Sequence, residues 1–450
     1  MAISSPQALP VQSSASYETA DEVALRRRRL TLGLLTFVYF FSYMDRQILA
    51  ILLELIRKDL HLTDTQLGIL SGFAFAVFYA GLGIPVARLA DRTSRKKIIV
   101  LSLALWSAMT AICGLAANFP QLLLARIGVG VGEAGSSPPS HSMIADLYAP
   151  HERASAMAIY SLGVVLGAAF GTIIGGTIGY FYGWRHAMFV VGLPGILLAV
   201  IVWFFVVEPR RGLSDGRSQA EQEREAMPSL GAGFASIWRD RAARHLVIAV
   251  TLTSMIGYGH AQWGPSFILR SFDVSLLTIS WVIAPIGAVF ATVSGVVGGI
   301  MADRLAKKRG LHWQSWMVGI LKTIALPFSL IFYFLHDANI AIGAYFLALL
   351  FASSYLGPTF ALLQGLAPMR LRALWAAITL LVINLVGLGL GPTLVGKISD
   401  MLRPTYGEES LRWAMFVFAV VTPWAIFHYW RAGVILKQRG QASQQVTAAA

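Results

Sequence analysis

Leu89-Ala90-Asp91-Arg92-Thr93-Ser94-Arg95-Lys96-Lys97 returns as Met301-Ala302-Asp303-Arg304-Leu305-Ala306-Lys307-Lys308-Arg309, displaced by 303 − 91 = 212 residues. Arg185-His186-Ala187-Met188-Phe189-Val190 returns as Arg412-Trp413-Ala414-Met415-Phe416-Val417, displaced by 412 − 185 = 227 residues. An internal repeat this long is two copies of one structural unit, not a short-period solenoid. In a hydrophobic chain it implies two similar halves with a transport site between them.

Composition sets the solvent. Of the 450 residues 56% are hydrophobic and 13% charged, and the mean hydropathy is +0.64. Soluble domains carry about 25% charged residues, so this chain reads as a membrane protein. Its apolar runs are continuous over about 20 residues, which suits helices crossing a ~30 Å core. A barrel would alternate over about 10 residues. The net charge of +13 is clustered at Arg26 to Arg29, Arg88 to Lys97, Arg210 to Arg244, Arg304 to Arg309, Arg370 with Arg372, and Arg431 to Arg439. The opposite loops hold Arg57, Lys58, Arg185, Arg270, Arg403 and Arg412. This asymmetry is expected to put both termini and the central loop in the cytoplasm. It reads as membrane topology and argues against a nucleic-acid partner. Cys113 is the sole cysteine, so no internal disulfide can form.

Twelve spans are predicted, at 30–53, 65–87, 98–117, 121–145, 154–178, 186–207, 245–269, 277–301, 313–335, 340–362, 373–398 and 412–434. They form an all-α membrane protein of two six-helix bundles, 25–207 and 245–434, joined by a cytoplasmic linker at 208–244. A short amphipathic helix is expected in the linker near Phe234 to Trp238. Residues 1–24 show no cleavable signal pattern and read as a disordered cytoplasmic tail; 435–450 read as a second tail. Gly163, Gly167 and Gly171, then Gly175-Gly176, line span 5, and Gly387, Gly391 and Gly396 line span 11. Glycine on one face allows close helix contact.

The loop after span 2 keeps Leu89, Ala90, Asp91, Arg92, Arg95 and Lys96 of the pattern glycine, any, leucine, alanine, aspartate, arginine, any, glycine, arginine, lysine. Ala87 and Ser94 replace its glycines, and span 4 has Arg126 followed by Gly130 and Gly132. On these residues the chain resembles the major facilitator superfamily over 30–434. Thr172 stands where the span 5 motif has proline, which weakens any argument that this motif marks an antiporter. Tyr43-Met44-Asp45-Arg46, with Arg126 and Glu133, resembles the spinster-like members of that superfamily. That resemblance implies transport of lysophospholipids or sphingosine-phosphate-type lipids.

Five fully charged residues lie well inside the spans: Asp45, Arg46, Arg126, Glu133 and Lys322. Each costs at least ~2.5–3.5 kcal/mol at a helix centre unless paired or hydrated, which makes it a functional candidate. At ~1.5 Å per residue Asp45 lies about 22 Å along span 1, and Arg126 lies about 8 Å below the far face, at matching depth. The superfamily fold places spans 1 and 4 on one cavity, so Asp45 and Arg126 are expected to pair. Glu133 shares the helix face of Arg126 about 10 Å deeper. A carboxylate passing between a dry cavity and a neighbouring arginine changes its proton affinity. Asp45 and Glu133 are therefore the proton-coupling candidates, while Arg46 and Arg126 suit a phosphate or carboxylate headgroup. Lys322 is expected to snorkel from a peripheral helix.

The second half has no buried carboxylate. His260 sits at the depth of Asp45, and with Trp263, Tyr355, Asn384, Tyr39 and Tyr43 it completes the substrate-binding candidates. Charges in one half and aromatics in the other suit an amphipathic substrate, its head toward spans 1 and 4. In the superfamily fold Asp91 and Asp303 face the starts of spans 11 and 5. A carboxylate there gains about 0.3–1 kcal/mol. Asp91, Arg92, Arg95, Asp303, Arg304, Arg153 and Arg372 are read as a latch that shuts the cytoplasmic side. Gly130-Val131-Gly132-Glu133-Ala134-Gly135 fits a dinucleotide fingerprint but has no strand before it. No P-loop, H-E-x-x-H or G-x-S-x-G occurs, so neither an enzyme nor an ATP-driven pump is expected. The expected function is proton-coupled transport of an amphipathic lipid-like substrate, with small organic anions or drugs as the alternative. A monomer in the plasma membrane or a bacterial inner membrane is expected, with no metal and no cofactor beyond the proton gradient.

Overall fold

The computed structural model describes residues 14–214 and 229–449. Among them all regular structure is helical. Helices over the predicted spans take their numbers. α1 is Arg28–Leu60, and α2 runs from Asp64–Gly68 through a π turn, Ile69–Phe73, into Ala74–Arg92. α3 is Arg95–Cys113, α4 is Phe119–Glu133 followed by Ser137–Leu147, α5 is Arg153–Tyr182 and α6 is Trp184–Phe205. α7 is Arg241–Ser271, α8 runs from Leu276–Thr278 through a π turn, Ile279–Ile283, into Ala284–Arg309, and α9 is His312–Phe334. α10 is Ala338–Ala352 followed by Leu356–Leu366. α11 runs from Arg372–Val382 through Ile383–Leu390 into Gly391–Tyr406, and α12 is Ser410–Ala419 followed by Thr422–Ala449. Eight helical stretches are long and apolar enough to cross a membrane by length and composition.

Local sequence starts many of these helices. Thr63 and Gln66 form a reciprocal capping box at α2, Ser94 caps α3, Asn118 caps α4, and Asp240 accepts from two backbone amides at α7. Each side-chain oxygen satisfies an amide that the first turn leaves free. Gly183, at φ +86°, makes the tight turn between α5 and α6.

Two predicted spans are not continuous. α4 breaks at residues 134–136 and α10 at 353–355. Proline clashes with the carbonyl four residues before it. Pro138 and Pro139 therefore act on Ala134 and Gly135, and Pro358 acts on Ser354. The π turns of α2 and α8 also stand at matching places in the repeat. Backbone irregularity is thus duplicated along with the sequence. The tail expected to be disordered over 1–24 is helical over Ser14–Arg26, with Ala24 buried. α12 continues through the tail expected from residue 435, where Gln and Ala favour helix. The linker carries a helix, Leu230–Arg239, around Phe234 and Trp238. Residues 1–13 and 215–228 of the expected tail and linker lie outside the described residues.

Helices α1 to α6 pack mainly on one another, as do α7 to α12. The glycine face of α5 lies along α1. A Cβ on Gly163 would stand 2.7 Å from the Thr36 carbonyl oxygen, and one on Gly171 2.7 Å from that of Met44. Further along, Gly176 turns to Ser280 of α8. Apolar side chains from both halves, including Leu52, Leu70, Trp263, Phe267 and Val395, share one core at the end opposite the basic loops. Toward the basic face the core divides. Leu35, Trp106 and Val202 belong to one cluster, and Leu246, Trp375 and Tyr429 to another. The halves are fused at one end and apart at the other.

Overpacking such a seam costs typically about 1–3 kcal/mol. Gly171→Leu is expected to lower the melting temperature of the solubilised protein. Gly81→Leu, where a Cβ meets open space, should leave it unchanged.

Candidate functional site

The four charged residues of α1 and α4 converge, but the pairing differs from the expected one. Arg46 Nε donates to Glu133 Oε2 at 2.7 Å, and Ser42 Oγ donates to the same oxygen at 2.8 Å. The Arg46 guanidinium lies 4.5 Å from the Tyr79 ring centroid and 4.9 Å from those of Tyr43 and Phe75. Asp45 and Arg126 form no ion pair among the described residues, although both are buried at 2% and 3% exposure. Asp45 Oδ1, Arg126 Nε and Glu133 Oε1 are buried without hydrogen-bond partners. Matching depth gave proximity, but side-chain direction selected Glu133 for Arg46. The break in α4 falls directly after Glu133, whose carbonyl accepts from the Ser136 amide at 3.2 Å.

Tyr39 stacks on Tyr160 at 4.4 Å and meets Tyr43 edge-on at 5.1 Å. In the second half His260 and Tyr355 line a cavity among α7, α9, α10 and α12. A second cavity, lined by Gln47, Thr172 and Ala284 and also by His260, joins it from the region between α5 and α8. Trp263 is not at a cavity. It is fully buried, and its Nε1 donates to the Pro392 carbonyl at 2.8 Å across α7 and α11. Asn384 lies half-buried in the π segment of α11. Lys322 does not snorkel. It is 6% exposed and points into the second half, because α9 turns that face toward α10.

A second charged cluster closes the fused end. Arg270, at the end of α7, donates Nε to Glu54 Oε2 and both terminal nitrogens to the two oxygens of Asp64, all at 2.8 Å. Asp400 of α11 accepts from the backbone amides of Asp64 and Thr65 at 3.0 and 2.7 Å, and Ser399 donates to Asp64 at 2.6 Å. These bonds tie α1 and α2 to α7 and α11. Sequence reading missed all of these residues because the span limits at 53, 65 and 269 excluded Glu54, Asp64 and Arg270 by one residue each. The available signal was complementary charge at matching span ends.

The basic face is different. Asp303, Arg304, Arg372 and Arg92 are exposed, and the side chain of Asp91 falls outside the described residues. Arg153 donates to the Ala145 and Tyr148 carbonyls and to Ser214, within its own half. Arg95 is also held within one half, by Asp146, Ser142, Glu208 and the Pro209 carbonyl. The bonds described here for Arg95 and Arg153 are to the first half and the linker, on the face where the two cores stand apart.

Membrane helices around a buried charged cluster, with one core shared by both halves at one end and two separate cores at the other, suit a transporter. The chain belongs to the Major Facilitator Superfamily, whose profile matches residues 35–392. It is 31% identical over 431 residues to an MFS-type efflux pump of Mycolicibacterium smegmatis, covering 94% of this chain and 96% of that one. It is 25% identical over 439 residues to the sphingosine-1-phosphate transporter SPNS2 of Danio rerio, covering 92% and 86%. Among solved structures it resembles a bacterial homologue of the human lysosomal transporter Spinster in an inward-facing, unoccupied conformation. That match has a TM-score of 0.83 and 28% identity, covering 91% of this chain and 98% of that chain. The protein is an integral membrane transporter of the plasma membrane or a bacterial inner membrane, not an enzyme.

Arg270→Ala leaves Glu54 and Asp64 without their shared cation, a loss of about 3–5 kcal/mol when one side of a buried pair is removed. The fused end is expected to open. A thiol introduced by Gln47→Cys, in a chain whose own Cys113 is buried, should then react faster with an impermeant maleimide added from that end. Unchanged labelling would remove Arg270 from the seal.

Glu208 lies beyond the spans. Burial raises its proton affinity, but hydrogen bonds from Ser94 and Arg95 prevail and hold its carboxyl below the ordinary value. The stability it adds is present above the unfolded value of about 4.3 and is lost as pH falls through the lower folded value. Wild type is expected to lose thermal stability on acidification from about pH 5 to about pH 3 more steeply than Glu208→Gln. Parallel curves would argue against this tie.

Proposed function

We propose that the chain is a proton-coupled, alternating-access transporter of an amphipathic anionic or zwitterionic lipid-like substrate, such as a lysophospholipid or sphingosine-phosphate-type lipid. It comprises twelve crossings in two bundles, 25–207 and 245–434, with the basic face and both termini in the cytoplasm. The observation that carries the reading is the Arg46–Glu133 ion pair beside an Asp45 carboxylate that forms no ion pair among the described residues. Protonation of Glu133 removes its charge and releases Arg46 from the pair. Protonation of Asp45 removes a second buried negative charge. Either event changes the cost of burying the cluster, which couples proton occupancy to closure of the cleft. Arg46, once released, and Arg126 become available to substrate. Asp91, Arg92, Arg95, Asp303, Arg304, Arg153 and Arg372 serve the opposite conformation, closing the basic face after the Arg270 cluster has opened. Likeness to the zebrafish sphingosine-1-phosphate transporter supports the lipid class. The alternative is a transporter of small organic anions or drugs.

Proteoliposomes with an entrapped pH dye test the reading. A lysophospholipid panel should drive proton movement in wild type. Asp45→Asn and Glu133→Gln are each expected to abolish coupled movement, while exchange without a gradient persists. Uptake that is indifferent to the gradient and to both substitutions would overturn the coupling, and transport confined to sugars would overturn the substrate class.

A further inference from the structure

The first half neutralises its own charge. Two acids, Asp45 and Glu133, face two arginines, Arg46 and Arg126, and Arg46 is already committed to Glu133 at 2.7 Å. The second half does not. Lys322 Nζ stands 3.3 Å from the Ala352 carbonyl oxygen and 4.9 Å from the Tyr355 ring centroid. No carboxylate of the described residues lies within ion-pair distance of it. Ala352 ends the first segment of α10, so its carbonyl is among those the break leaves free. That carbonyl orients the ammonium through a partial charge but cannot neutralise it.

The surroundings of Lys322 are built for one acidic group. His260 Nε2 is buried with no hydrogen-bond partner. Thr253 Oγ1 is likewise buried and unpartnered. All three residues line the cavity of the second half, whose other walls include Ala325, Leu326, Phe332, Leu349 and Met415. The cavity continues past Ala261, Gly264 and Leu349 into the second one. A cation and two unsatisfied polar groups in an otherwise largely apolar chamber match an acidic oxygen headgroup followed by a hydrocarbon chain.

Building on the amphipathic-substrate reading, we propose that Lys322, assisted by His260 and Thr253, seats the acidic group of the substrate in this conformation, with its chain running toward α5 and α8. This reverses the polarity read from sequence, in which the headgroup lay toward α1 and α4. Arg46 is engaged by Glu133 while the fused end is closed, and Arg126 lies beside the first half's two acids. Lys322 has no such competitor.

The test uses the full chain in phosphatidylcholine nanodiscs and compares binding of lysophosphatidate with that of a monoacylglycerol of the same chain length. A charge-assisted hydrogen bond should give wild type at least about a tenfold preference for the anionic probe. Lys322→Gln is expected to erase the preference while leaving monoacylglycerol affinity unchanged, which also reports that the variant is folded. Lys322→Arg should retain most of it, and Arg46→Gln should leave it in place. A preference that survives Lys322→Gln, or that disappears in Arg46→Gln instead, overturns the site while the substrate class stands. Equal binding of both probes by wild type has the same effect. Binding of neither probe overturns the amphipathic-substrate reading and this site with it.

Discussion

The guanidinium of Arg270 joins the two halves through three charged hydrogen bonds, two to Asp64 and one to Glu54. Its planar fork fits both oxygens of one carboxylate, a geometry an ammonium could not reproduce. Asp400 adds a link of another kind, accepting from the first amides of α2 and so completing that helix from α11. Buried pairs of this sort add little net stability over apolar contacts, yet losing one partner is severe. They therefore specify an arrangement more than they strengthen it. The fused apolar core beneath them supplies the cohesion, and the charges decide which end it forms at.

Backbone chemistry sets the second constraint. In lipid every amide and carbonyl needs an internal partner, and irregular backbone survives only where it is buried in protein or lines a cavity. The interruptions in α4 and α10 meet this condition at equivalent places in the two halves. One presents Glu133 at its edge. The other presents a free carbonyl that holds Lys322. The same proline-driven defect thus carries an acid in one half and a base in the other, which is where the duplication stops being symmetric.

Burial cost made Asp45, Arg46, Arg126 and Glu133 readable from sequence, because a charge far from either membrane face has few innocent explanations. Hydropathy could not say which arginine faces which acid, since that depends on helix rotation. The same limit hid the inward orientation of Lys322 and the retreat of Trp263 from the cavity into a seam. Glu54, Asp64 and Arg270 escaped for the opposite reason. They sit where spans end, and charge there is inexpensive enough to look ordinary. The helix interruptions were written as Pro138, Pro139 and Pro358, but their effect falls four residues upstream, inside windows that average to apolar. The glycine face of α5 was legible as a packing surface, and only the fold identified α1 as its partner.

The division of the core has an electrical consequence. In the alternating-access cycle proposed above, the parted end opens the charged cluster to the basic side. The membrane voltage would then fall mainly across the fused region between the Arg46–Glu133 pair and the Arg270 cluster. A full charge crossing that region works against about 2.3 kcal/mol per 100 mV. In the proposed cycle the fused region re-forms at the other end, and the same voltage then falls on the other side of a nearly stationary site. Such a cycle extracts electrical work by moving the field past the charges, without carrying those charges through the membrane.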